Sequence, residues 1–299
     1  MKRVGIFFSI LFVSIQLFGQ VTRITSVPPK KSPIAPIVFD SSLNFLGKTN
    51  VESYKGQIVY GIPRHVGFRK PELNKGVDWP YNESDYSNLY FRIDSVYPCY
   101  SKNGIINRYT FEMTRNDSTR RRIQYVYDTE KETFFPFMVV SHLNWLKKQF
   151  VGKRFIIKNS RFILHNDILT GDSIAASSRI PWKVTEISLY DWGVRQEFVC
   201  VLTDGKYTTL LPVEYFEQER ISAKRTIFEK NEWDKLVSKY GLSVMSDVLS
   251  NKIRVGMPKH LLIMSWGNPQ RINSASYGDQ YVYNGQYVYV KGGKVTSWN

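Results

Sequence analysis

The chain has 299 residues, and its 41 lysines and arginines against 26 aspartates and glutamates give a formal charge of +15. Its hydrophobic fraction of 42% is sufficient for a globular core, and its length allows two or three domains. Aromatic residues make up 15% of the chain, which predicts a β-rich protein. After residue 20, no run reaches the roughly 18 apolar residues that a membrane-spanning helix needs, so a transmembrane span is excluded.

The first 19 residues have the pattern of a secretory signal peptide: a basic pair, an apolar run from Val4 to Phe18, and a small residue, Gly19. We predict cleavage after Gly19 and an exported protein, periplasmic or associated with the outer membrane. No cysteine stands directly after the apolar run, so we expect a soluble mature chain without a lipid anchor. Residues 20–40 are rich in proline and lysine and predict an extended tether, for which contact with a membrane surface is the alternative role.

Residues 41–135 and 136–225 have the pattern of two copies of one small β-module. A Gly-containing turn at Gly56 corresponds to one at Gly152, and an alternating strand that begins at Phe91 corresponds to one that begins at Trp182. Short strands separated by Gly and Asp turns predict a small barrel or sandwich in each copy. Chance similarity between aromatic-rich strands is the alternative explanation of the repeat.

Helical patterns occur between the copies and after them. Residues 140–149 predict one short helix with Ser141 as its cap, and residues 221–230 predict a polar connection. Apolar residues at helical spacing then predict a helix that ends at Gly241, and a second helix follows around Met245. The third domain is therefore predicted to span residues 226–299 and to unfold separately from the two β-modules.

The last 48 residues predict a short helix followed by a three-stranded antiparallel meander. Pro258 suits the start of a helix, whereas Gly267 and Pro269 are typical of a helix end. Asn284-Gly285 is a strong hairpin signal, and the pair that begins at Gly292 predicts a second tight turn. We expect Trp266 to pack its ring against the meander.

These residues resemble the SmpA/OmlA (BamE-like) family over about the last quarter of the chain. That family has an apolar residue before Gly-Met, a short helix, a Gly-x-Pro exit and an aromatic meander with a late glycine. The matching motif residues are Gly256, Met257, Pro258, Trp266, Gly267, Pro269 and Gly292. The family usually has Ser or Thr where this chain has Pro258. The resemblance implies a scaffold or accessory role in envelope assembly, through contacts with an envelope protein.

If both turns of the meander contain two residues, its register follows from the alternation of side chains. One face then carries Tyr281, Tyr283 and three valines, and the other carries Tyr287, Tyr289 and Trp298. Only one face can lie on the helices. We therefore predict that the second face is an aromatic interaction strip, covered either by the preceding modules or by another protein.

No constellation of catalytic or metal-binding residues is visible, so we predict neither an enzyme nor a cofactor. The four histidines lack metal-ligand spacing. Gly171-Asp172-Ser173 is similar to the Gly-Asp-Ser block of a lipase family. Its base would come from Asp-x-x-His, whereas His260 lacks the preceding aspartate, so we interpret the block as a turn. Cys99 and Cys200 could form one disulfide or remain free thiols.

A predicted hairpin tip contains a cluster of basic residues that could bind phosphate groups, with a solvated turn as the alternative. The four residues are Arg115, Arg120, Arg121 and Arg122. Together with the overall charge, they point to a second function, a binding module for cell-wall glycan or anionic lipid. Nucleic acid is excluded as a partner by the export signal. The sequence as a whole predicts a β-rich α+β protein, with two small β-barrel-like modules followed by a BamE-like domain of helices and a meander.

Overall fold

The computed structural model describes residues 21–22, 51–63, 85–100, 106–128, 137–158, 166–174, 179–191 and 196–299. Over these residues the chain is a β-rich α+β protein, as predicted, and it contains three antiparallel sheets and five α-helices. The signal peptide and all but two residues of the tether lie outside the described ranges. No helix within the described ranges is long and apolar enough to cross a membrane.

The first sheet has the strand order β5-β4-β3-β2-β6. A short 3-10 turn, Val51–Tyr54, precedes it. Its strands are β2 (Ile58–Gly61), β3 (Tyr90–Tyr100), β4 (Ile106–Arg115), β5 (Arg122–Asp128) and β6 (Phe137–Val139). Aromatic rings fill one side of this sheet because alternate strand residues point to the same face, and Phe91, Phe111 and Tyr125 are fully buried there.

The second sheet repeats this order as β10-β9-β8-β7-β11 and gains a two-residue strand, β1 (Val21–Thr22), on β8. Its strands are β7 (Arg154–Ile157), β8 (Pro181–Asp191), β9 (Gln196–Thr203), β10 (Thr208–Pro212) and β11 (Ile227–Glu229). Helix α1 (Val140–Phe150) precedes β7, and α2 (Val213–Ile221) lies between β10 and β11. Helix α2 was not predicted, and β11 lies inside residues 221–230, which we predicted to be a polar connection.

Neither of these sheets closes into a barrel within the described residues. The outermost strands β5 and β6 of the first sheet do not pair with each other, and the same is true of β10 and β11 in the second. Each β-module is therefore an open sheet in the parts that the structure describes.

The two modules share local geometry as well as strand order. Gly56 and Gly152 both have positive φ, 84° and 87°, and their N–H groups donate to Ile93 and Val184 at 2.7 and 2.9 Å. Phe91 and Trp182 lie on corresponding strands, β3 and β8, and each is fully buried. Both strands also carry a β-bulge at the same point, immediately after Ile93 and Val184.

Each module passes into the next unit without a loop, because a three-residue strand continues directly into a helix. Strand β6 pairs with β2 and leads into α1, so residues 137–139 complete the first sheet although they follow the predicted boundary at 135. Similarly, β11 pairs with β7, in the second sheet, and leads into α3 (Lys230–Tyr240). Ser141 was predicted to cap α1, but it donates to Gln57 Oε1 at 3.0 Å instead.

These linking strands are buried on both faces. In β6, Phe137 and Val139 belong to the first core, whereas Met138 faces the second. In β11, Ile227 faces the second core, whereas Phe228 faces the third. The neighbouring strand β7 alternates in the same way, because Phe155 faces the second core and Ile156 the third. Three of the four hydrophobic clusters among the described residues are therefore stacked in sequence order, and neighbouring ones share a wall of strands.

The C-terminal unit packs α3, α4 (Leu242–Leu249) and α5 (Lys259–Trp266) against one face of the third sheet. This sheet has four strands, not the three that we predicted. They are β12 (Arg271–Ala275), β13 (Gly278–Tyr283), β14 (Gln286–Lys291) and β15 (Lys294–Trp298), in sequence order across the sheet. Strand β12 escaped prediction because its polar sequence, Arg-Ile-Asn-Ser-Ala, has no clear alternation, and all five residues are exposed.

Candidate functional site

The glycines of the C-terminal motif occupy turns that require positive φ. Gly256 has φ of 81° and donates its N–H to Val295 at 2.7 Å, which joins the loop before α5 to β15. Pro258 immediately precedes α5, and Gly267 closes that helix with φ of 91°. Met257 is buried in the third core. The predicted helix end is therefore present, and the chain leaves it in the direction of the sheet.

Trp266 lies at the end of α5 and packs against the meander. Its ring meets that of Tyr283 edge to face at 5.3 Å, and its Nε1–H donates to the carbonyl of Asn251 at 2.9 Å. Burial and the neighbouring Tyr281 raise the pKa of Tyr283 to about 12, and its hydroxyl donates to the Gly267 carbonyl at 3.1 Å. Of the remaining motif residues, Pro269 is half-buried and Gly292 lies in a two-residue turn with φ of 58°.

The outer face of the third sheet carries two of the three predicted strip residues. Tyr287 is 38% exposed and Tyr289 is half-buried. Gln280 Nε2 donates to the Tyr289 hydroxyl at 3.0 Å, and Asn273 Nδ2 donates to Gln280 Oε1 at 2.8 Å. We call this surface the outer face, and none of its residues is buried: Arg271, Asn273, Gln280, Val282, Tyr287, Tyr289 and Ser297.

Trp298 does not belong to this outer face, which corrects the predicted strip. A register shift between Tyr289 and Val290 places Trp298 opposite Val288, which is a core residue. One extra residue in β15, Thr296, causes the shift, and a shift of one residue moves a side chain to the other face. Trp298 is therefore on the core side, at the end of an edge strand, and it is 44% exposed.

The four arginines do lie at the β4–β5 hairpin, but carboxylates surround most of them. Arg115 forms an ion pair with Asp117, and Arg121 pairs with Asp85 at 2.8 Å. The hydrogen bond from Ser95 contributes most to the lowered pKa of Glu112, and the positive charge of Arg122 also lowers it. Arg120 is exposed and has φ of 46°. The hairpin tip is therefore a partly neutralised turn.

The two cysteines are free thiols, so the disulfide alternative is wrong. Cys200 is fully buried in the second core, and burial raises the pKa of its thiol far above the usual range. Cys99 lies on β3, where its Sγ is 3.1 Å from Thr110 Oγ1. His65 and His165 lie outside the described residues. Within the described ranges, no group of three His, Cys, Asp or Glu residues could hold a metal ion.

The Gly-Asp-Ser block is a turn, as predicted, and it is organised by the buried carboxylate of Asp167. One Asp167 oxygen accepts from the N–H groups of Leu169 and Thr170 at 2.7 and 2.8 Å. The other accepts from the Thr208 N–H at 2.6 Å, at the start of β10. Burial alone would raise the pKa of Asp167, but these donors together hold it below its usual value.

An open cleft lies where α1, α2 and the β7–β11 pair meet, and sequence patterns did not predict it. It has a volume of about 390 Å³. Its floor is aromatic: the Phe216 ring is 4.7 Å from the rings of both Phe150 and Phe155. Trp145 and Gln149 of α1 form one wall. A cleft of this size with an aromatic floor is within the range of ligand-binding sites, and its walls are mostly polar.

The rim of this cleft holds three carboxylates and two cations. Arg225 forms a bidentate ion pair with Glu232, at 2.9 and 3.2 Å, and Lys153 lies 3.9 Å from Glu229. Glu217 is exposed and forms no ion pair with another described residue. The rim is therefore slightly acidic on a strongly basic chain.

The cleft residues lie far apart in sequence, which is why no motif revealed them. Phe150 and Lys153 flank the Gly152 turn, whereas Phe216 comes from a helix that was not predicted. The sequence contained one helical signal for α2, the three-residue spacing between the apolar residues Val213 and Phe216. Both side chains are buried.

Comparison of the chain with protein-family models, with curated proteins and with solved structures finds no match.

Proposed function

We propose that this protein is an exported, non-enzymatic component of the cell envelope that acts as a scaffold or accessory factor through protein–protein contacts. The observation that carries the proposal is the outer face of the third sheet. It combines two tyrosines and a valine with a row of amide groups, and none of these residues is buried. A half-exposed surface that combines aromatic and polar groups is typical of protein interfaces.

The edge of the same sheet adds a second feature of a protein-binding surface. Strand β12 is an edge strand, and Ile272 on it is 48% exposed. Edge strands present unpaired N–H and C=O groups that can pair with a strand of another protein. A partner could therefore form main-chain hydrogen bonds with β12 and contact the outer face at the same time.

The resemblance to the SmpA/OmlA family supports an envelope role. The order of Gly256-Met257, α5, the exit at Gly267 and Pro269, and an aromatic meander agrees with that family. The two β-modules would then connect this unit to the N-terminal tether. Glycan or anionic lipid is the less favoured ligand, because Arg115 and Arg121 already pair with carboxylates.

Site-specific photo-crosslinking in envelope preparations tests the proposal. A photoreactive residue at position 289 should cross-link to one defined protein, whereas the same residue at Leu169, exposed on the second module, should not. Replacing Tyr287 with Arg, in a chain that carries the photoreactive residue at 289, should abolish the cross-link. Cross-links from position 289 to lipid or glycan only would contradict the proposal. N-terminal sequencing of the mature protein should give a start near Gln20.

A further inference from the structure

The repeat allows the aromatic cleft to be compared with the corresponding region of the first module. When Gly56 is aligned with Gly152, Tyr54 corresponds to Phe150 and Gln57 to Lys153. Tyr54 and Gln57 are buried, each with 2% exposure, and Tyr54 packs on Phe111. Phe150 and Lys153, by contrast, line the open cleft. The space beside this turn is therefore filled in the first module and open in the second.

Helix α2 accounts for this difference. The connection between β10 and β11 covers residues 213–226, whereas the corresponding connection between β5 and β6 covers only residues 129–136. Both connections join strands of the same order in their sheets, so the longer connection is not required to form the second sheet. The extra length supplies Phe216 and Glu217, which form one side of the cleft.

Strand β1 directs the N-terminal chain toward this cleft. It pairs antiparallel with β8, with Val21 opposite Tyr190 and Thr22 opposite Leu189. Because β9 occupies the other edge of β8, β1 lies on the same edge as β7. Strand β1 therefore runs in the direction of Val184, which lies five residues, or about 17 Å, from Leu189 along β8. The Val184 carbonyl accepts a hydrogen bond from the Gly152 N–H.

The chain that follows β1 has the composition that fits the cleft. Its prolines and lysines begin at Pro28, six residues after Thr22, and six extended residues span up to about 20 Å. Proline-rich segments dock in aromatic-lined grooves, where proline rings pack on aromatic rings. The pair Lys30-Lys31 complements a rim whose three carboxylates outnumber its two cations. Among these carboxylates, Glu217 forms no ion pair with another described residue.

We propose that the cleft between α1 and α2 binds the proline- and lysine-rich segment of residues 28–36 of the same chain. The proline rings contact Trp145, Phe150 and Phe216, and the lysine ammonium groups pair with the rim carboxylates. A short link to β1 gives the segment an effective concentration in the millimolar range, so a weak intrinsic affinity is sufficient. The binding fastens the tether to the second module.

Zero-length cross-linking of amines to carboxylates on the complete mature chain, followed by mass spectrometry, tests this proposal. We expect links from Lys30 or Lys31 to Glu217 or Glu229. The pair Lys153 and Glu229, 3.9 Å apart, is the internal control, because its link shows that the reagent enters the cleft. If that link forms while Lys30 and Lys31 react only with carboxylates outside the cleft or with none, the proposal is wrong.

A binding measurement separates a real site from random collisions of the tether. A labelled synthetic peptide of residues 26–38 is titrated into the parent and into a variant with all four prolines of residues 28–36 replaced by serine. We expect at least tenfold tighter binding to the variant, whose cleft is vacant, and at least tenfold weaker binding after a further Glu217→Lys change. Leu169→Ala, at an exposed position that does not line the cleft, is the matched control without effect. Equal affinity for parent and variant would overturn the proposal, and a peptide that binds neither would do so as well.

Discussion

At the scale of single residues, Gly267 determines how the chain enters the third sheet. Its φ of 91° is strained for any residue with a Cβ atom, and the nearest side-chain atom to an added Cβ is 3.5 Å away, on Lys224. The steric contact is ordinary, so the cost of a substitution comes from the backbone. We expect Gly267→Ala to lower the free energy of unfolding by about 1–2 kcal/mol.

Urea denaturation of the full chain measures this change. Asn268→Ala, at the exposed neighbouring position, is the control and should change the free energy by less than about 0.5 kcal/mol. If Gly267→Ala is as stable as the parent, the positive φ is not required and the helix end has another cause.

Asp167 is a second residue whose effect on stability can be predicted with its pH dependence. Replacing it with Asn places an amide N–H₂ against backbone donors, so Asp167→Asn should cost about 1–3 kcal/mol at pH 7. Since the pKa of Asp167 is depressed in the folded state, its contribution is present above the unfolded pKa, near 3.9, and is lost as the pH falls through the folded value.

The difference in stability between parent and Asp167→Asn should therefore be largest at neutral pH and should shrink below about pH 4. Chemical denaturation at pH 7 and pH 3 gives both values, with Asp172→Asn, an exposed neighbour, as the control. A difference that is unchanged at pH 3 would show that the hydrogen bonds to the carboxylate do not stabilise the fold.

At the scale of elements, the repeated glycine turn should behave in the same way in both modules. Gly56 and Gly152 have nearly the same φ and the same hydrogen-bonding pattern to β3 and β8. We expect Gly56→Ala and Gly152→Ala each to cost about 1–2 kcal/mol. Thermal melts of the two single variants and the double variant measure this, and the two costs should add because the turns bond to strands of different sheets.

Costs that differ by more than about 1.5 kcal/mol would show that the two turns have different roles. An added Cβ at Gly152 meets no atom within 4 Å, so that variant reports the backbone strain without a steric contribution.

At the scale of the whole molecule, the shared strands predict that the second and third cores unfold together. Ile156 belongs to the second sheet but packs in the third core, beside Phe228 of β11. This arrangement argues against the separate unfolding that we predicted from the repeat pattern, because removing either core exposes part of the other. Ile156→Ala should lower the stability of both by about 2–5 kcal/mol.

Hydrogen exchange measured by mass spectrometry checks this coupling. In Ile156→Ala, the exchange of the slowest amides should accelerate in β8 as well as in α5, although the removed side chain packs in the third core. Arg154→Ala, at an exposed position of the same strand, is the control. Acceleration confined to one of the two units would mean that they unfold independently.

The sequence by itself was enough to predict the local elements. Strand alternation at Phe91 and Trp182, the glycine turns at residues 56 and 152, and the helix end at Gly267 all depend on residues that are close together in the chain. Helix periodicity also located α1, α3 and α4. Such features are governed by backbone conformations available to each residue type, and these are encoded locally.

Tertiary structure alone decided the rest. The extra residue in β15 that moves Trp298 to the core side depends on pairing with β14, and the three-residue strands β6 and β11 exist only because each completes a sheet. The aromatic cleft requires α1, α2 and β7 to meet, from positions up to about 70 residues apart. Contacts between distant segments leave no periodic pattern in the sequence, so a site built from them becomes visible only when the chain is folded.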